Sequence, residues 1–279
     1  MQTGKSHAID DEYAHGHGHD HDHSHEHGHE HSHDYEHDHE REHHHGHEHS
    51  HDHEHSAKVS TTVTLEANIL EKNDRLAERN RGFFDALNIL ALNLVSAPGS
   101  GKTALLERTI NDLKKELHIS VVEGDQATLN DAERIKKTGA KVVQINTGAG
   151  CHLDAEMLAT GIRQLDPPKD SVVMIENVGN LVCPALFDLG EKCKVAVLSI
   201  TEGEDKPVKY PHMFRAAEVL LLNKIDLLPH LNFDIEACRK HALSVNPKIK
   251  IFEVSATRGE GLDHWYDWIK KHVREPQKH

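Results

Sequence analysis

Cysteine is scarce in this sequence: Cys151, Cys183, Cys193 and Cys238 are the four among 279 residues. Their spacing gives no disulfide framework, which points to a reducing compartment. No apolar run reaches the roughly 18–20 residues of a membrane span. The N-terminus also lacks the charged-then-apolar pattern of a secretory signal. A cytoplasmic protein without a membrane partner is therefore expected. Aliphatic side chains are almost missing from residues 1–57. Such a segment cannot bury enough apolar surface to offset its conformational entropy, and it is expected to be disordered when metal-free. An excess of basic charge is missing too. Residues 1–57 hold 15 Asp/Glu against Lys5 and Arg41, so of the net charge of −14 only −1 belongs to the other 222 residues. A near-neutral folded part gives no reason to expect nucleic acid binding.

What the first segment does have is histidine, 21 of the 29 in the chain, lying between His7 and His55. His alternates with Asp, Glu and Gly through runs such as His15-Gly16-His17-Gly18-His19 and His43-His44-His45. Imidazole suits Ni²⁺, Zn²⁺, Cu²⁺ and Co²⁺, and the Irving–Williams order means that affinity alone cannot select nickel. Binding should weaken as pH drops through about 6.5, because protonated imidazole is no ligand. The other reading is a solubilising linker or tag, although a tag is usually homopolymeric and this tract is mixed and long.

Residues 58–279 read as one α/β domain with a helical lead-in over 58–90, where Val63, Leu65, Ile69, Leu70, Leu76, Phe83, Phe84 and Leu87 recur at helical spacing. Strands are expected at 88–95, 119–122, 141–145, 171–175, 194–200, 218–222 and 249–254. Helices are expected at 103–117, 130–138 (capped by Asn130), 154–164 and 261–273. Short, continuously apolar strands separated mostly by helices predict a mostly parallel sheet covered on both faces. In such sheets ligands bind beyond the carboxyl ends of the strands, and the polar motifs fall there.

The first motif is Ser96-Ala97-Pro98-Gly99-Ser100-Gly101-Lys102-Thr103-Ala104, between a strand and a helix. Small residues let backbone N–H groups wrap phosphate oxygens at a helix N-terminus. Lys102 reaches the β- and γ-phosphates and the Thr103 hydroxyl binds Mg²⁺. The usual first glycine of G-x-x-x-x-G-K-[ST] is Ser96 here. Asn223-Lys224-Ile225-Asp226 follows another strand and resembles a guanine-specificity motif. A carboxylate at Asp226 accepts hydrogen bonds from guanine N1–H and the 2-amino group, and adenine has neither donor. Asn223 either contacts the base edge or braces the loop, and Lys224 lies along the base. Ser255-Ala256 resembles the further base-contacting loop. The bland alternative is a helix cap that happens to spell these letters. Asp125 and Glu176 lie where more Mg²⁺ ligands are needed, with Glu176-x-x-Gly179 standing where Asp-x-x-Gly is usual. Each could instead be a solvated loop carboxylate.

Cys151-His152 and Cys183 carry donors suited to Zn²⁺ and Ni²⁺. These three cannot close a four-coordinate cage, so the site would be completed by water or a second subunit. Alternatively, each is a buried thiol or a satisfied histidine. Cys183 lies in the segment expected to respond to the γ-phosphate, so nucleotide state would alter metal geometry. Cys193 and Cys238 are assigned to packing.

Together the motifs resemble the hydrogenase nickel-incorporation GTPase (HypB) family over about residues 60–275. The resemblance rests on the 96–103 loop, Glu123-Gly124-Asp125-Gln126, the block from Asn146 to Leu153, the block from Glu176 to Pro184, and Asn223-Lys224-Ile225-Asp226. It implies GTP/GDP and Mg²⁺ as cofactors, slow hydrolysis with Lys102, Asp125 and Glu176 in the catalytic centre, and a homodimer favoured by GTP. It also implies a Ni²⁺ or Zn²⁺ site at the dimer interface from Cys151, His152 and Cys183, a zinc-binding hydrogenase maturation partner (HypA-like), and the hydrogenase large subunit as recipient. Some members open with Cys-x-x-Cys-Gly-Cys, whereas this chain opens Met1-Gln2-Thr3-Gly4-Lys5-Ser6. The high-affinity site of that motif is expected to be absent, with the histidine tract taking over storage. A metal-storage protein is one competing reading. A urease-type accessory GTPase is another, but that family joins its ligands as Cys-Pro-His. No glutamine stands ready to orient water, so turnover below about 1 s⁻¹ is expected.

Overall fold

The computed structural model describes residues 54–125, 130–148 and 150–274, with backbone only for 54–66, 125 and 274. The histidine tract up to His53, with His15, His17, His19, His43, His44 and His45, lies outside the described residues, as do Gln126 and Ala149.

In chain order the elements are α1 (Glu54–Ala86), β1 (Leu90–Ser96), α2 (Lys102–Leu113), β2 (Ile119–Asp125), α3 (Asn130–Lys137), β3 (Lys141–Asn146), α4 (Ala155–Leu165) and β4 (Val172–Gly179). There follow α5 (Cys183–Leu186), β5 (Cys193–Ser199), α6 (Lys206–Lys209), α7 (Pro211–Ala216), β6 (Ala217–Asn223), a 3₁₀ turn (Ile225–His230), α8 (Ile235–Val245), β7 (Lys250–Val254) and α9 (Leu262–Arg274). Among the described residues the strands form one seven-stranded sheet, ordered β3-β2-β4-β1-β5-β6-β7. Every pairing in it is parallel.

The alternation of side chains along each strand sends its apolar residues to both faces. Leu90, Leu92 and Leu94 of β1 join Leu105, Leu106 and Ile110 of α2 and Trp265 and Ile269 of α9 on one face. Ala91 of β1, with Val173 and Ile175 of β4, packs against Phe84 of α1 and Leu158 and Ile162 of α4 on the other. Farther along that second face, Leu220 and Leu222 of β6 meet Phe214 of α7 and Cys238 and Ala242 of α8.

The structure departs from the sequence expectations at several points. The lead-in helix begins at Glu54, ahead of the expected boundary at 58, and ends at Ala86. Asn88 then takes a left-handed conformation with φ 49° and donates to Asp170 Oδ1 at 2.8 Å, turning the chain into β1. Asn130 was expected to cap α3 and is its first residue. Strand β4 runs past Ile175 to Gly179, so Glu176 lies within the strand and not after it. Helix α8 was not anticipated. Its N-cap is Asp234, whose side chain accepts from Ala237 N, but only Cys238 and Ala242 along it are buried. Cys193 and Cys238 are both buried in the core, and burial pushes the Cys238 thiol up to about 12. They are packing residues, as expected.

Candidate functional site

The loop after β1 and the start of α2 wrap a cavity of about 470 Å³ lined by residues 98–104 with Asp131, Arg134, Glu176, Val178 and Gly179. Gly99 and Gly101 have φ of 76° and 95°, a region glycine enters freely and other residues rarely do. Gly101 has a second reason to be glycine, since a Cβ there would lie 2.6 Å from Asn223 Nδ2. Ser96, at the position of the usual first glycine, is fully buried. Its hydroxyl accepts from Lys102 Nζ at 2.7 Å and from Ser100 Oγ at 2.6 Å. The substitution therefore gives the lysine a buried anchor in the wall of the cavity.

Thr103 Oγ1 donates to Glu176 Oε1 at 2.8 Å. Glu176 is 5% exposed, which rules out the solvated loop carboxylate. Burial pushes its carboxyl up to about 7, opposed by the Lys102 charge and the Thr103 hydrogen bond. Glu176 Oε2 is buried with no hydrogen-bond partner among the described residues. A desolvated carboxylate oxygen next to a hydroxyl, at the mouth of a phosphate loop, fits a hard, oxygen-seeking cation such as Mg²⁺. Thr103 and Glu176 would hold it, and it would neutralise phosphate charge. Asp125 is the last residue of β2, beside Asn146 of β3. Its side chain lies outside the described atoms.

The third wall comes from β6 and β7. Asn223 Nδ2 donates to Ser100 O at 3.0 Å, and its Oδ1 accepts from Ala256 N at 3.2 Å. Of its two expected roles, Asn223 therefore has the geometry of a brace. Lys224, with φ 66°, reaches back to Gly99 O at 2.7 Å. Ser255 Oγ donates to Asp226 Oδ1 at 2.6 Å and accepts from Arg258 N at 3.0 Å. The loop after β1 and the Asn223–Asp226 segment are thus tied directly to each other.

Cys151, His152 and Cys183 come together although the two cysteines are 32 residues apart. The Sγ atoms lie 2.7 Å apart, Cys151 Sγ is 3.6 Å from His152 Nδ1, and one ligand atom from each falls within 4.8 Å of the others. Burial lowers the His152 pKa, opposed by the Asp154 charge. Two soft thiols and an imidazole make a donor set for Ni²⁺ or Zn²⁺.

Sequence reasoning missed four contributors. Phe187 stacks on His152 with centroids 3.8 Å apart. Asp131 and Arg134 of α3 face the phosphate cavity. Asn177, next to Glu176, accepts from Leu153 N at 3.1 Å. Their spacing in the sequence carries no signature, because each becomes relevant only when distant segments meet. For Asn177 alone a polar residue extending an apolar strand was a clue.

Comparison with known proteins places this geometry in a family. The CobW/HypB/UreG nucleotide-binding domain profile matches residues 90–253. The hydrogenase maturation factor HypB of Escherichia coli K12 is 60% identical over 206 residues, 74% of this chain and 71% of that protein. The crystal structure of HypB from Archaeoglobus fulgidus superposes with a TM-score of 0.68 at 38% identity, over 73% of this chain and all of that one. HypB from Helicobacter pylori, solved in complex with nickel, gives 0.69 at 34% identity, over 75% of this chain and 98% of that one. A parallel sheet with a lysine-bearing phosphate loop, a guanine-type motif and these matches lead to one conclusion: the chain belongs to the HypB hydrogenase maturation factor family.

Proposed function

We propose that this protein binds GTP, hydrolyses it slowly, and uses its nucleotide state to gate capture and release of nickel at Cys151, His152 and Cys183 during maturation of a nickel–iron hydrogenase. The observation that carries the proposal is one of connectivity. Glu176, bonded to the phosphate-loop Thr103, and Cys183, in the thiol–imidazole cluster, sit on a single stretch running from β4 into α5. A carboxylate that shifts with phosphate and Mg²⁺ moves the same backbone that presents a nickel ligand.

For hydrolysis, Lys102 and the amides of the 98–104 loop would hold the phosphates and offset developing charge. Arg134, the arginine that lines the phosphate cavity among the described residues, is engaged by Glu107 and Asp131 and is not free to act as a finger. Turnover then rests on charge stabilisation alone and stays below about 1 s⁻¹. Nickel is the cargo, and three protein ligands leave room for a donor from a partner. Val182 and Leu186, on either side of Cys183, are 55% and 53% exposed. That apolar rim suits cover by a second copy of the chain in the GTP state, by a zinc-binding HypA-like partner, or by the hydrogenase large subunit that receives the metal. The histidine tract would hold the supply. Free thiols as ligands suit the cytoplasm, and no described helix is long and apolar enough to cross a membrane.

The test is a Ni²⁺ titration of the full chain with GDP and with a non-hydrolysable GTP analogue, followed by thiolate-to-metal charge-transfer absorption. That band reports cysteine ligation and is blind to imidazole in the tract. An affinity that changes with nucleotide supports gated delivery. An affinity indifferent to nucleotide would leave storage by the tract as the better account.

A further inference from the structure

The gating reading leaves half of the metal site unexplained. Cys183 follows Glu176 along the chain, but Cys151 and His152 lie on a separate loop after β3. We propose that Asn177 is the positioning residue that ties this loop to the nucleotide-sensing end of β4; the proposal rests on the gating function above and names the part that performs it.

Asn177 is 2% exposed, in a buried strand whose preceding residues, apart from Glu176, are apolar. An amide is a poor choice there unless hydrogen bonding requires it. Its Oδ1 accepts from Leu153 N at 3.1 Å and from Val178 N at 3.0 Å. Two donors on one side fix which end of the amide is oxygen. Leu153 directly follows His152, so one bond joins the ligand loop to the residue next to Glu176. The Leu153 side chain is fully buried against Gly124, where an added Cβ would come within 2.5 Å of it. The loop is thus packed on β2 through Gly124 and hydrogen-bonded to β4 through Asn177.

The other end of the amide leads to the segment that carries Phe187. Asn177 Nδ2 donates to Asn93 Oδ1 at 3.2 Å, and Asn93 Nδ2 donates to Glu191 Oε1 at 3.0 Å. Glu191 Oε2 accepts from Leu189 N at 2.7 Å, two residues from Phe187, whose ring stacks on His152. Asn93 and Glu191 are also buried. The ligand loop and the segment carrying the ring that stacks on His152 are thus both tethered to one side chain, adjacent to the carboxylate that meets Thr103.

The test repeats the Ni²⁺ titration on the full chain carrying Asn177→Ala, with GDP and with the GTP analogue. In the unaltered protein the thiolate-band affinity should differ between nucleotides by at least about fivefold. In the variant that ratio should collapse to within about twofold. A merely structural role for Asn177 would weaken nickel equally in both states and leave the ratio intact, which would overturn the proposal. Should the variant fail to fold, amide hydrogen exchange in the unaltered protein decides. Leu153 N–H should exchange at different rates in the two nucleotide states, and equal rates alongside a nucleotide-sensitive thiolate band would sink the assignment. A thiolate band unmoved by nucleotide in the unaltered protein would instead remove the gating function itself, and Asn177's role with it.

Discussion

Gly101 and Gly99 share a backbone conformation but not a neighbourhood, and this separates their expected roles. Both have positive φ. A side chain at 101 would strike Asn223, however, whereas nothing lies within 4 Å of a Cβ at 99. Gly101→Ala should therefore break the link between phosphate loop and base-reading strand and lower GTP affinity at least about tenfold. Gly99→Ala should cost only its backbone strain of about 1–3 kcal/mol. Fluorescent-nucleotide binding to the two variants measures the contrast, and equal losses would contradict it. Asp226 offers a second test. Its carboxylate would accept two hydrogen bonds from guanine, so Asp226→Asn should weaken GTP by about 100-fold and improve binding of xanthosine triphosphate, whose O2 accepts where guanine donates. Competition of the two nucleotides against the variant reads this out, and unchanged preference for GTP would place the base elsewhere.

At the scale of elements, α1 is more than a lead-in. Asn73 bridges Ala155 N and Asp188 O, and Asn80 donates to both Ala155 O and Leu189 O. The helix thus clasps the segments that follow each half of the Cys151–His152–Cys183 cluster. Gly190 sits so close that a Cβ would fall 2.3 Å from Ala77 O. Asn80→Ala would remove two buried hydrogen bonds, to Ala155 O and Leu189 O, and should cost about 1–3 kcal/mol in urea denaturation. Lys72→Ala, which removes an exposed ion pair with Glu156, should cost less than about 1 kcal/mol. The clasp also has a pH limit. Burial alone would raise the Asp188 pKa, but Gly190 N–H and the Arg81 guanidinium outweigh it and hold it below the usual carboxylate value. A depressed carboxyl stabilises above its unfolded value of about 4 and loses that contribution as pH falls further. Acid titration by circular dichroism should show α1 loosening below that point, less so in Asp188→Asn. The sheet was legible in the sequence because its strands are short, continuously apolar runs separated mostly by helices. The end of β4 was not, since Glu176 and Asn177 are polar residues that the interior keeps for bonds to distant segments. Helix α8 escaped because two small residues, Cys238 and Ala242, make too narrow a stripe to read. Of the site, the glycines, Lys102 and the Asn223–Asp226 motif were legible as local patterns. Phe187 and Asn177 were not, because they matter only through partners far away in the chain.

For the whole molecule, Val182 and Leu186 lie exposed beside Cys183, on the face that the proposed dimer would cover. Light scattering with the GTP analogue and Ni²⁺ should give twice the mass of one chain, and Val182→Asp together with Leu186→Asp should return it to one. A doubled mass that survives both changes would put the contact on another face. The strand order has a consequence for how the protein is made. β1 and β2 flank a gap that only β4 fills, so the phosphate loop has no Glu176 beside it until residue 179 has left the ribosome. The base-reading wall waits longer still, for Ser255 and Ala256 after the last strand. A chain cut short anywhere before that point cannot hold guanine nucleotide as the finished one does. A chain released early would present its phosphate loop without the contacts that brace Asn223 and Asp226.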